Sequence, residues 1–308
     1  MTESQVAICR IELPTHNKVE VVRRRFQGSE GPSVALVAGI RGDTPEGVRV
    51  LYEVTRLLRQ LPEICGTVDV YPCANPLAAY AGVQRWPFFN VDLNRRFPGR
   101  IDGHPPDRVA YELVQNLRGA DVVIEIRGAY RAFREICQAH VRAGVPAAID
   151  LASNANVEVV WARTPDTMAP TTFAAQFDTV MVLEGGAGNR LSEGVGDEMT
   201  AGVMNVLASL GVVDEQAVPV HWAAIHRPRV VTDAEVLRVR TELGGVFMPS
   251  VQAGALVARS QPLGTVVDPV HATVLQRVEA PVAGLVLAIR EQPSVHPGSL
   301  LARVVAES

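Results

Sequence analysis

The run Ser33-Val-Ala-Leu-Val-Ala-Gly-Ile40 leads into Arg41-Gly-Asp-Thr-Pro-Glu-Gly47, an apolar stretch stopped by a polar, glycine-bearing turn. An apolar run without alternation marks a strand buried on both faces. Thr44 followed by Pro45 reads as an N-cap with proline at the first helical position. The helix that follows is expected to present Val48, Leu51, Thr55 and Leu58 on one face. Outward from this unit the pattern repeats. Thr67–Tyr71, Val122–Ile126 and Thr179–Leu183 read as strands, and helices are expected near 106–118 and 197–210. A long loop runs from Asn75 through Arg95 to Gly103. Strands alternating with helices predict an α/β fold, a mostly parallel mixed sheet flanked by helices. Residues 1–30 read as short strands, with Arg23-Arg24-Arg25 on an exposed strand face.

Beyond residue 218 the texture changes. From Gly244 onward short apolar runs are punctuated by Gly254, Gly264, Pro269, Pro281, Gly284, Pro293 and Gly298. That spacing predicts a small C-terminal all-β domain, barrel-sandwich-like, over 219–308, after a first domain over 1–218. Glu279–Leu287 resembles a biotinyl- or lipoyl-type module, but such modules modify a lysine and this region has none. A packed structural role is the remaining expectation.

The chain has 308 residues, 47% of them hydrophobic, and a formal net charge of −4. A mildly acidic chain argues against nucleic acid as a partner, because phosphate binding needs a basic surface. No stretch approaches the roughly 20 apolar residues of a membrane span, and no signal peptide is evident, so a cytoplasmic protein is expected. The four cysteines form no C-x-x-C pair, so neither a disulfide framework nor a zinc knuckle is indicated. Of the 29 basic residues only Lys18 is lysine, so arginine at any one position must be read against an arginine-rich background.

Four segments together resemble the succinylglutamate desuccinylase/aspartoacylase family, relatives of the zinc carboxypeptidases. Gly39–Gly47 is similar to that family's G-x-H-G-[DN]-E-x-x-G turn. Asn75-Pro-Leu-Ala, Arg85 and Asp92-Leu-Asn-Arg-Arg-Phe-Pro-Gly99 resemble its N-P-x-A and D-L-N-R-x-F-P-G signature. Asp121–Gly128 falls where the family reads D-x-x-[IV]-D-L-H-G, and Leu183-Glu-Gly-Gly186 where it carries a catalytic glutamate. The β-rich tail also fits, so the resemblance covers nearly the whole chain and implies a carboxypeptidase-like fold.

The departures bear on chemistry. The resemblance implies zinc held by a histidine, a glutamate three residues on and a second histidine; Arg41, Thr44 and Arg127 stand at those positions. A guanidinium offers only N–H donors, and a threonine oxygen is a poor zinc ligand. No metal and no other cofactor is therefore expected. His221 and His226, five apart, lack the spacing of a helical zinc pair.

By resemblance, Arg85, Asn94 and Arg95 bind a substrate carboxylate and Glu184 is the general acid/base. Arg41 and Arg127 add two fixed positive charges suited to a carboxylate or a developing oxyanion. Glu125, on a buried strand, needs a partner, expected in Arg41 or Arg127. Arg41 could equally pair with Asp43, Glu125 or Glu184. Gly185 and Gly186 need no more than a tight strand exit.

These residues imply a metal-independent enzyme acting on a small carboxylate-bearing amino acid derivative, by cleavage or formation of an amide C–N bond. Two alternatives stand beside it: a non-catalytic protein that binds an acidic metabolite, and an ordinary zinc-dependent N-acyl amino acid deacylase. The expected partner is a small acidic metabolite or N-acyl amino acid, with no membrane and with a homo-oligomer possible.

Overall fold

A computed structural model describes residues 1–164, 167–217 and 227–307. His221 and His226, and the expected boundary at 218/219, lie outside the described residues.

The chain opens with a long hairpin, β1 (Thr2–Glu12) and β2 (Lys18–Gln27), then β3 (Ser29–Ala38) and α1 (Pro45–Leu58). It continues through β4 (Cys65–Tyr71), the short α2 (Pro76–Ala81), α3 (Pro105–Leu117), β5 (Val122–Gly128) and β6 (Phe133–Arg142). Next come α4 (Pro146–Ser153), β7 (Val159–Arg163), β8 (Val180–Ala187) and α5 (Val195–Ser209). The remaining strands are β9 (Arg229–Thr232), β10 (Val236–Arg240), β11 (Gly245–Pro249), β12 (Leu256–Val257), β13 (Pro262–Asp268) and β14 (Thr273–Glu279). β15 (Gly284–Arg290), β16 (Ser294–Val295) and β17 (Leu300–Ala306) complete the chain.

One mixed sheet dominates, in the order β1-β2-β4-β3-β5-β8-β6-β15-β17-β10. Its central strands β4, β3, β5 and β8 are parallel, and antiparallel strands extend it on both sides. A smaller antiparallel sheet, β14-β13-β11-β16, belongs to the C-terminal region. The main sheet runs on into the C-terminal strands, because β15 pairs with β6 and β9 with β7. No helix among the described residues is long and apolar enough to cross a membrane.

Both faces of the central strands are covered, which is why their sequences are largely apolar. On one face Ile124 and Ile126 of β5 and Met181 and Leu183 of β8 pack with α1 and α5. On the other, Val123, Val180 and Val182 meet α3 and the aromatics Trp86, Phe97 and Phe173. Glu125, Arg127 and Glu184 share the parity of this second face. They lie toward the carboxyl ends of the parallel strands, where open α/β sheets bind their ligands.

Several local expectations are corrected. The buried face of α1 runs through Val50, Leu51, Val54, Leu57 and Leu58, while Val48 and Thr55 are half-buried at its border. Thr44 occupies the N-cap position, but its hydroxyl donates to the Arg41 carbonyl at 3.0 Å and caps no helical N–H. The basic run is not an exposed face: Arg25 grips Asp69 with two 2.7 Å bonds, and Arg24 pairs with Glu3. Gly185 and Gly186 lie within β8 rather than at its exit.

Gly47 fixes how α1 meets the sheet. A Cβ there would lie 2.1 Å from the Ile126 carbonyl oxygen and 3.1 Å from the Arg127 Cα. Alanine is favoured over glycine within a helix by about 1 kcal/mol, whereas forcing a methyl into a packed contact costs about 1–3 kcal/mol. With backbone as the obstacle, the clash wins. Gly47→Ala should lower the denaturant midpoint, and a stabilised variant would show that α1 shifts freely on β5.

Candidate functional site

The sheet register writes the site as rows of side chains. In one row Arg127 of β5 stands opposite Glu184 of β8, and Glu184 opposite Gln138 of β6. In the next, Glu125, Val182, His140 and Trp161 follow across β5, β8, β6 and β7. A third runs from Gly186 through Glu135 and Ala288 to Arg303 of β17. Cross-strand partners share a face, so these rows form one wall of a cavity of about 310 Å³. Arg41, on the turn after β3, and Asn94 and Arg95, on the loop before α3, contribute further lining.

Arg127 organises the floor. Its Nη2 donates to Glu184 Oε2 at 2.7 Å and its Nη1 to Glu125 Oε1 at 3.3 Å. Burial works against the Arg127 charge, but Glu184 and Glu125 outweigh it and raise the guanidinium further. Burial pushes the Glu184 carboxyl up; Arg127, with His140 and Arg41, more than reverses this and holds it well below the usual range. His140 Nε2 lies 3.5 Å from Glu184 Oε2. Burial, aided by Arg127, Arg163 and Arg303 against the pull of Glu184, lowers the imidazole to about 3, so it is neutral at pH 7.

At the far end, Glu135 accepts from Gln138 Nε2 at 2.8 Å and from Arg303 Nη1 at 3.0 Å. Arg163 lies over the Trp161 ring, 4.4 Å from its centroid, and pairs with Asp233 at 2.9 Å. Among the described residues Arg41 and Arg95 form no ion pair. Four buried polar atoms in the lining have no hydrogen-bond partner: Arg41 Nε, Arg127 Nε, Glu125 Oε2 and His140 Nε2.

The candidates read from sequence divide. Arg41, Asn94, Arg95, Glu125, Arg127 and Glu184 meet at the cavity. Glu125 takes Arg127 as its partner, and Arg41 makes none of the three pairings open to it. Asn94 turns its Oδ1 to the Phe173 N–H at 2.8 Å and so anchors the loop. Arg85 does not reach the lining: it is exposed, and its guanidinium donates to Asn90 at 3.5 Å. Glu135, His140, Trp161, Arg163 and Arg303 also line the cavity, and no motif in the sequence marks them. A signal existed in Gln138-Ala-His-Val-Arg142, which alternates polar and apolar, but Ile136-Cys137 interrupts it.

The residues at the positions that the resemblance assigns to zinc do not make a ligand set. Arg127 has no lone pair to give, and Thr44 donates its hydroxyl to a carbonyl. Glu46, three residues beyond Asp43, is turned to the Ser192 N–H at 2.7 Å and to Arg49. Among the described residues no three His, Cys, Asp or Glu side chains are grouped to hold a metal ion.

Comparison with known proteins places this geometry. The chain is 33% identical over 114 residues to an N-alpha-acetyl-L-2,4-diaminobutyric acid deacetylase of Halomonas elongata; the match spans 37% of this chain and only 32% of that protein. A succinylglutamate desuccinylase/aspartoacylase structure from Rhodobacter sphaeroides superposes with a TM-score of 0.85, at 20% identity, covering 99% of this chain and 96% of the other. The product-bound ectoine utilization protein EutE (DoeB) of Ruegeria pomeroyi gives 0.84 at 21% identity, covering 99% and 95%. At these identities the structures establish the shared fold. Residues 30–210 match the model of the succinylglutamate desuccinylase/aspartoacylase catalytic domain, and the chain belongs to that family.

Proposed function

We propose that the cavity binds a small N-acyl amino acid derivative through its carboxylate and acts on the amide bond without a metal. Amide deacylation of small amino acid derivatives is the chemistry that the family and the Halomonas elongata deacetylase suggest. The observation that carries the reading is the set of unsatisfied groups around the cavity, on its strand wall and on the turn after β3. A buried polar atom without a partner costs about 1–3 kcal/mol, and four of them line the same space. The guanidinium atoms need acceptors, while Glu125 Oε2 needs a donor. An N-acyl amino acid supplies both, as a carboxylate and an amide N–H.

In this reading Arg95, at the exposed rim, takes the carboxylate. Half-buried Arg41 faces the amide carbonyl, where it stabilises developing negative charge. Arg127 is committed to Glu125 and Glu184, so its part is to hold those carboxylates in place. Arg85 and the Asn94 side chain drop out of direct ligand contact. A second reading, a protein that binds the same ligand without turning it over, is favoured by the Arg127–Glu184 pair, because a carboxyl held so low is a weak base.

Titration calorimetry with N-acetyl amino acids checks the binding, and amine release checks the chemistry. Both should survive exhaustive dialysis against a chelator; turnover lost on dialysis and restored by one equivalent of zinc rejects the metal-free reading. Arg41→Ala should weaken binding about 10–100-fold, the range of one or two charge-assisted hydrogen bonds.

The Arg127–Glu184 lock has its own test. Glu184→Gln breaks a buried pair and should cost about 3 kcal/mol at pH 7. Because the folded carboxyl sits below its unfolded value, its contribution is complete above about pH 4.5 and fades as pH falls toward 2. Denaturant unfolding of both proteins should therefore converge on acidification. A gap that stays constant would show that the pair is not its source.

A further inference from the structure

β6 does not run regularly past the cavity. Its register against β8 shifts between Glu135, opposite Gly186, and Gln138, opposite Glu184, so three steps on β6 span two on β8. In an unbroken strand residues 135 and 138 face opposite sides. The bulge brings Glu135 onto the same face as His140, and both line the cavity. Gly185 makes room for it: a Cβ there would stand 3.0 Å from the Cys137 Cα and 3.1 Å from the Ile136 carbonyl oxygen. Arg303, brought into the same row by β15 and β17, then holds Glu135 from the far side.

We propose that Glu135, rather than Glu184, is the residue that exchanges protons with the bound amide, and that Arg303 is its positioning residue. The inference deepens, and rests on, the reading of the cavity as a metal-independent amide site. Glu184 is tied to Arg127 at 2.7 Å, whereas Glu135 is held by a longer bond to Arg303 and by a neutral amide. The charged and titratable groups around Glu135 are Arg303 on β17, Glu184 on β8, Arg127 on β5 and His140 on its own strand. Burial and the Glu184 charge push the Glu135 carboxyl up to about 7, against Arg303 and Arg127. A group titrating there suits general acid–base work at neutral pH.

The step balances without an added reagent. The Glu135 carboxylate takes a proton from water as the water oxygen bonds to the amide carbon and the carbonyl pair moves onto its oxygen. As the carbonyl re-forms and the C–N bond breaks, the Glu135 acid returns that proton to nitrogen. One carboxylic acid and one amine leave.

The experiment measures ligand affinity and amine release together across pH, using a panel of N-acetyl amino acids. Wild-type turnover should inflect near pH 7. Glu135→Gln should keep affinity within a few-fold, lose about 10²–10⁴-fold in rate, and lose the inflection. Glu135→Asp, a shorter acid, should keep an inflection at reduced rate. Arg303→Met removes a positive charge that lowers the carboxyl, so the inflection should move to higher pH, and Arg303→Lys should restore it in part. Turnover by Glu135→Gln with an unchanged inflection overturns this assignment alone. Wild-type protein that binds the panel but releases no amine overturns it together with the amide chemistry, leaving the binding pocket.

Discussion

Both terminal nitrogens of Arg127 are spoken for, one by Glu125 on its own strand and one by Glu184 on the next. That commitment sets what every neighbouring group can do. Two carboxylates facing one buried space would repel and be driven toward protonation; a guanidinium between them keeps Glu184 charged despite its burial. The cost is a weaker base, since a proton must now compete with a cation at 2.7 Å. His140 follows from the same logic. Buried, and with Arg127, Arg163 and Arg303 around it, its imidazole stays neutral.

The sheet carries these charges to one another. β5 and β8 supply the Arg127 row, but the opposite half of the wall depends on β6, β15 and β17. Arg303 reaches Glu135 because two strands from the end of the chain continue the same sheet. The C-terminal region therefore does more than pack: it delivers a charged side chain to the cavity. Asp233, just before β10, acts similarly, taking hydrogen bonds from Arg163, Trp161 Nε1 and the Thr164 N–H.

What the sequence makes legible follows the strength of local patterns. β3, β5 and β8 each contain a largely apolar run and β4 alternates about Asp69, so the parallel core is readable mainly from hydrophobicity. Asp92–Gly99 is readable for a different reason: Asp92 and Asn94 form a compact local network, with Asp92 accepting from the Asn94 N–H and from Gln84. β6 is hidden because its bulge breaks the alternation at Ile136-Cys137, and β7 because five residues are too few to show a period. Arg303 is invisible for a third reason. Its role exists only through the pairing of distant strands, and no local pattern encodes which strand lies beside which. Arg85 shows the opposite case: the motif is present, and the loop sets its guanidinium beside Asn90 rather than in the lining.

Formal charges bear on the acidic ligand proposed for the cavity. Arg303 is offset by Glu135 and Arg163 by Asp233, while Arg127 faces two carboxylates and so leaves one negative charge in excess. Arg41 and Arg95 form no ion pair among the described residues, although Arg41 acts on the Asp43 and Glu184 carboxyls from a distance, against their protonation. A guanidinium differs from a divalent metal in kind, because it offers fixed hydrogen-bond donors and no open coordination position. In the proposed reading these donors would meet a carboxylate, and protonation of Glu135 would remove one opposing negative charge. The carboxyl that β17 helps to hold therefore acts, in that reading, mainly on the proton that moves, and only weakly on how tightly an acidic ligand binds.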